Sequence, residues 1–303
     1  MSAGDVYVYG DYEYRYNMGF MLLAWYSIEN ADFGDMGYPG WGVMRLDNKK
    51  TSYEPVIANI NNVDVTVMLF TYAGCSSMTE SPIIPNTIQC MWSTYYNCKG
   101  LTVTPVLPNG VGYFKQIFYG CTALTTAPTI PASAEVLKSI FWKCTNLKTY
   151  VGSQEADGYF LNYVIPSKVM SISCMFEECT SVISMPDLSK ATSLTDMNAA
   201  FRGCTALTST TTIPNTVKDM NATFHKCTSL VTAPTIPTGV EDLEFAFGDC
   251  TNLTGNVRVD AALTDDMDYL TCFTGTVKPI KIIVSCPTIV KQDWAGLYNN
   301  VTY

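Results

Sequence analysis

The feature that most constrains this chain is a cysteine that returns at a fixed interval. Cys75, Cys98, Cys121 and Cys144 stand 23 residues apart, and Cys204, Cys227 and Cys250 repeat that spacing. Cys179 lies 35 residues after Cys144 and 25 before Cys204, so one unit carries an insertion of about 12 residues, assigned to VGSQEADGYFLN at 151–162. An aromatic residue precedes each cysteine by three places: Tyr72, Tyr95, Phe118, Phe141, Phe176, Phe201, Phe224 and Phe247. Phe273 extends the series to a ninth unit, with Thr276 in the cysteine's place. A period of this length means stacked coils, since no single copy holds enough apolar surface to bury itself.

The coil reads F-x-x-C-T-x-L-x-x-A-P-x-I-P-x-x-V-x-x-M-x-x-x, with Leu101, Leu124, Leu147, Leu207, Leu230 and Leu253 three places after their cysteines. The stretch from Leu to Ile is short, Thr-rich and bounded by prolines, which predicts a strand pairing in parallel with its neighbours. The stretch from Val to Phe, VKDMNATF at 217–224, has apolar residues at i, i+3 and i+7 and predicts a short helical turn on the opposite wall. The cysteines then occupy one equivalent place per coil, about 5 Å apart with parallel side chains. That is poor disulfide geometry and suits buried free thiols. A disulfide or metal ladder is the alternative, but the pattern has no CxxC pair and no histidine in register.

This spacing closely resembles the BspA-like, or Treponema-type, leucine-rich repeats of bacterial surface proteins and of gut-phage genomes. The resemblance covers about Val65 to Thr276. The coil within MFEECTSVISMPDLSKATSLTDMNAAF, with a step of 25 residues, is similar to a sister repeat of mycoplasma surface proteins, with Leu188-Ser189 where the main type has Ile-Pro. The implied fold is an α/β repeat solenoid: a right-handed, leucine-rich-repeat-like coil stack with a parallel sheet on one wall and short helical turns on the other, capped at both ends. The implied role is adhesion or host recognition, and the resemblance brings no catalytic residues with it.

Both ends have material for caps. Residues 1–62 are expected to form an N-terminal module, with VYVYGDYEYRY as a hairpin turning at Gly10-Asp11, a strand over Trp41–Leu46 and a helix start near Thr51–Pro55. Residues 63–276 hold about nine coils, and 277–303 a C-terminal cap with a strand at Ile280–Val284, a helix over Pro287–Leu297, and Trp294 sealing the last coil. The glycine-rich loop Asp32–Gly42 is either an interaction loop or an irregular wrap.

Composition narrows the function. Apolar residues make up 48% of the 303, enough for a continuous core, and 18 basic against 27 acidic residues leave a net charge of −9. That balance argues against a nucleic-acid partner. The longest apolar run, Met18–Tyr26, is too short to span a bilayer, so no membrane insertion is expected, and the N-terminus lacks the pattern of a secretory signal. No GxSxG, HExxH or Walker-type glycine loop appears, nor a GxGxxG preceding a helix, and the single histidine, His225, sits in a variable place. No catalytic, cofactor or metal site is therefore expected. Asp265, Asp266 and Asp268 form the densest acidic group, read as a solvated turn in preference to a calcium site.

Two surfaces remain. The residue after each repeat aromatic should face outward, and there Tyr96, Tyr119 and Trp142 fall in consecutive coils before charged residues take over. Such a strip suits sugar stacking or a protein hot spot, or else stiffens the coil edge. The second is the Leu–Ile wall, a hydroxyl-rich sheet face carrying Thr125, Thr126, Thr129, Thr208, Ser209, Thr232 and Thr235. The expected function is non-catalytic recognition of a protein or glycan on a bacterial or host surface. The chain is then a phage virion component, a tail or decoration protein, or else a bacterial surface or secreted adhesin; a purely structural assembly role is the third reading. A homo-oligomer is possible, a trimer in a phage fibre, with the tyrosine-rich N-terminus as the joint.

Overall fold

The computed structural model describes residues 6–9, 12–16, 41–45, 55–153, 160–262, 269–284 and 294–302. The turn at Gly10-Asp11, the run Met18–Tyr26, most of the loop Asp32–Gly42, the helix start at Thr51–Glu54, the middle of the insertion, the acidic group Asp265–Asp268 and the start of the C-terminal helix lie outside them.

The chain is a coil stack of the leucine-rich-repeat kind. Its main sheet begins with an antiparallel pair, β1 (Val6–Tyr9) and β2 (Tyr12–Tyr16), continues through β3 (Trp41–Arg45), and passes in parallel into the coils. A short strand, β4 (Asn59–Ile60), turns antiparallel onto β5 (Val63–Leu69). From β5 the parallel order runs through β6 (Cys90–Trp92), β7 (Tyr113–Lys115) and β9 (Val136–Lys138). The same column continues as single parallel bridges through Ser171, Asp196, Asp219 and Asp242.

This wall corrects the expected coil plan. The strands lie in the Val–Phe stretch that the i, i+3, i+7 pattern assigned to helical turns, and among the described residues only 294–297 are helical. The apolar spacing has another origin. Two residues in each of the first eight coils take positive φ, as Ala222 (50°) and Lys226 (63°) do around Phe224, and each corner inserts outward residues between inward ones. Amides at these corners donate across to the next coil instead of back along their own turn: Ala222 N–H to Glu244 O at 2.7 Å, Phe224 N–H to Ala246 O at 2.8 Å and Lys226 N–H to Gly248 O at 2.7 Å. A left-handed backbone at non-glycine residues is uncommon, and here every such corner is held by a hydrogen bond to its neighbour. In several coils the second corner is glycine, as at Gly120 (φ 69°) and Gly203 (φ 72°).

The Leu–Ile wall is only partly a sheet. Its named strands are β8 (Thr126–Ala127) and β10 (Thr149–Tyr150), paired in parallel, with further bridges Val164↔Asp187, Ser184↔Ser209 and Ile236↔Val259. Prolines such as Pro128, Pro131, Pro234 and Pro237 withdraw the donors a ladder needs. The coil after Cys250 has no proline at these places, and there a full strand forms, β11 (Gly255–Val259), which pairs in parallel with β12 (Ile280–Val284), itself paired with β13 (Val301–Thr302).

Two ladders fill the interior. The repeat aromatics stack from Tyr72 to Phe273 with centroids 5.3–5.8 Å apart and planes within 29° of parallel. Each pair adds about 0.5–1.5 kcal/mol beyond its burial. The stack is closed edge-on at both ends: Tyr12 lies 6.2 Å from Tyr72 at 84°, and Trp294 lies 5.2 Å from Phe273 at 77°. The Trp294 indole N–H also donates to Tyr269 O at 3.0 Å.

Beside the rings run the thiols. Cys98, Cys121, Cys144, Cys179, Cys204, Cys227 and Cys250 each donate to the carbonyl oxygen of the aromatic residue one coil earlier, at 2.9–3.1 Å. Cys75 is buried as well, and none of the described cysteines is in a disulfide. Burial pushes the Cys250 thiol up to about 12, so the ladder stays protonated at neutral pH. In the ninth coil Thr276 bonds its own Phe273 carbonyl at 2.8 Å, and its hydroxyl accepts from Asn300 Nδ2 at 3.1 Å. The lost cysteine therefore marks the place where the stack stops and the C-terminal segment is tied down.

Candidate recognition surface

The outward residues differ from coil to coil while the ladders do not. Tyr96, Tyr119 and Trp142 are half-buried and adjacent: the two tyrosines stack at 4.5 Å and 5°, and Trp142 meets Tyr119 edge-on at 5.0 Å and 76°. Their coils hold them in register, because the Asn97 amide donates to Tyr119 O and the Gly120 amide to Trp142 O. Lys143 closes the strip with Nζ 5.7 Å from the centroids of both Tyr119 and Trp142. The Tyr119 hydroxyl, then the Glu178 carboxylate, hold the Lys143 ammonium more firmly protonated than an isolated lysine. Burial, then Tyr119, push the Tyr96 phenol up. Among the described residues the buried Trp142 indole N–H has no hydrogen-bond partner, which is uncommon in a native structure.

Because Tyr96 and Tyr119 spend one ring face on each other, the strip offers edges, hydroxyls and a cation rather than a row of open faces. A second aromatic group was missed in the sequence. Lys115 lies with Nζ 5.0 Å from the Trp92 centroid, and Phe70 packs 5.8 Å from Trp92. Trp92 and Lys115 belong to the sheet wall, which the sequence reading took for helical turns.

Beyond the insertion the equivalent places are polar. Arg202 pairs with buried Glu177 at 3.5 Å, and His225 Nε2 is hydrogen-bonded to Asp249 Oδ2 at 3.1 Å. Asp196, Asp219 and Asp242 stack on the sheet wall, each accepting the amide two residues on, at 2.8–2.9 Å. Burial raises Asp219 first, and its two neighbours add to the shift, although the Asn221 amide opposes it.

The predicted hydroxyl face lies on the proline-bearing wall. Thr125, Thr129, Thr208, Thr232 and Thr235 are exposed there, and Thr126 and Ser209 are half-buried. Thr126 belongs to β8 and Ser209 makes a bridge, but the face is not the continuous sheet the sequence predicts. It carries instead two adjoining depressions of about 750 and 630 Å³ around the insertion and the coil after it. Among the described residues no group of three His, Cys, Asp or Glu side chains is placed to hold a metal ion, and no helix is long and apolar enough to cross a membrane.

A model of the BspA type leucine rich repeat region matches residues 59–158 and 156–265, in six copies. The chain belongs to the BspA type leucine rich repeat family. Similar solved structures include a leucine rich repeat protein of Treponema pallidum (20% identity, 62% of this chain and 83% of that one, TM-score 0.48). Others are a leucine-rich repeat protein of Bacteroides ovatus (15% identity, 77% and 83%, TM-score 0.34) and a leucine rich cell surface protein of Faecalibacterium prausnitzii (16% identity, 99% and 98%, TM-score 0.32). The search of curated proteins finds no match.

Proposed function

We propose that this chain is a non-catalytic recognition protein that engages a partner on a bacterial or host surface through the strip Tyr96–Tyr119–Trp142 and its lysine clasp. The observation that carries this reading is the strip itself: large aromatic area held rigid by the coils, with polar tips and a cation at one end, the composition that dominates binding hot spots. Family membership supports a binding or adhesion role and lends no support to a virion part. The capped ends would keep the terminal coils from associating, so that binding is confined to the outward face.

The test is binding of the labelled chain to whole gut bacteria and to epithelial cells, compared with a Tyr96→Ala, Tyr119→Ala, Trp142→Ala triple variant. Selective binding by the native chain that falls to background in the variant, at an unchanged melting temperature, supports the reading. Binding that persists in the variant overturns the strip as the site.

A further inference from the structure

We infer that the proline-bearing wall carries a binding trough for a linear, uncharged polysaccharide; this deepens the recognition reading by giving it a second site with a ligand class. The two depressions on that wall share Ser189 and Thr192, so they form one channel of about 750 and 630 Å³ in its two parts. It runs from Thr129, in the coil of Cys121, to Asn215, in the coil of Cys204. Four coils at the spacing of parallel strands make it roughly 15 Å long. Its direction follows the stack and crosses the strands.

The lining has the chemistry of a sugar chain turned inside out. Buried Ile130, Leu188 and Ile213 give it an apolar floor suited to the C–H faces of pyranose rings. The hydroxyls of Thr129, Ser167, Thr192 and Thr212 stand exposed along it and have no protein partner among the described residues. A hydroxyl both donates and accepts, so such a row can pair with either end of a ligand hydroxyl. Tyr150 borders the channel half-buried, its ring fixed by Phe160 at 5.9 Å and Tyr163 at 5.2 Å.

Charge and backbone exclude the main competitors. Among the described residues the charged lining residues are Lys190 and Asp187, and the Asp187 carboxylate is already occupied by the Ser189 amide at 2.8 Å and hydroxyl at 3.0 Å. One lysine is a poor match for a polyanion. An extended peptide laid along the channel would find no strand edge, since the wall's amides donate between coils, as Thr149 does to Thr125 O and Ser209 to Ile183 O.

The experiment is affinity electrophoresis of the full chain in gels containing soluble β-1,3-glucan, xylan, mannan or α-1,4-glucan. Thr192→Arg places a bulky cation at the junction of the two parts, and Ser167→Tyr fills the near part; both side chains are exposed and make no hydrogen bond among the described residues, so the melting temperature should not move. The proposal expects retardation by at least one polysaccharide, an apparent dissociation constant raised about tenfold in each variant, and no change in the strip triple variant. No retardation by any of the four, or retardation unaffected by both substitutions, overturns it. Loss of cell binding in the strip variant alongside absent polysaccharide binding would leave the recognition reading standing and remove only the trough.

Discussion

The coils before the insertion and those after it share one interior and differ on one surface. In both, the rings stack at the same spacing and the thiols bond the preceding coil in the same way. Outside, Tyr96, Tyr119, Trp142 and Lys143 give way to the Glu177–Arg202 and His225–Asp249 pairs and to a column of aspartates. The difference shows which positions hold the fold and which are free to be chosen for a partner. An exposed ion pair such as Lys218–Glu241 contributes little to stability, so the second half owes its order to the interior and to the backbone bonds between coils.

The comparison breaks most directly at the interior. Phe118→Ala and Phe224→Ala each empty one place in a continuous ring stack and should each cost about 3–5 kcal/mol in urea unfolding. A loss confined to the second half would mean that the outer aromatics, and not the spine, stabilise the first coils. Trp294→Ala removes an edge-on cap and the bond to Tyr269 O, and should cost about 3 kcal/mol. Hydrogen exchange should then quicken in the last coils and stay unchanged near Tyr95.

The thiols sharpen the picture at smaller size. Cys121→Ala and Cys227→Ala each remove the thiol from a carbonyl that keeps an amide donor, Cys98 N–H on Tyr95 O and Cys204 N–H on Phe201 O, and should cost about 1 kcal/mol. Cys121→Ser keeps a donor and should cost less than the alanine variant. An alanine variant as stable as the native chain would make the thiol ladder incidental.

The smallest effect distinguishes the acidic half. Asp219 has a raised folded-state pKa, so ionisation opposes folding. Its penalty is absent below the ordinary carboxylate range and complete once the pH has passed the raised value. Asp219→Asn should therefore gain a few tenths of a kcal/mol at pH 7, after solvent screening, and nothing at pH 3. A gain that is equal at both pH values would show that charge is not the cause.

The sequence revealed the period, the parallel stack and the identity of both ladders, because Cys and Phe recur at intervals that only an equivalent buried place explains. It misplaced the main strands. Val217, Met220 and Phe224 sit at helical intervals, yet the interval comes from corners at residues such as Ala222, a residue type that carries no sign of a positive φ. The strip was legible because its residues keep the 23-residue step, whereas its lysine clasp depends on side-chain reach across coils. The trough was invisible, since it arises where the insertion and the 25-residue coil disturb the repeat. Thr129 was picked out there, but for a sheet face that the neighbouring prolines interrupt.

The central claim, that the interior holds the fold and the surface is spare, is tested most directly by two neighbours in one coil. Phe118 is buried in the spine and Tyr119 stands half-buried in the outer strip. Equilibrium unfolding of Phe118→Ala and Tyr119→Ala side by side should give a loss of about 3–5 kcal/mol for the first and under about 1 kcal/mol for the second. Equal losses would contradict the account and make the outer strip part of the scaffold.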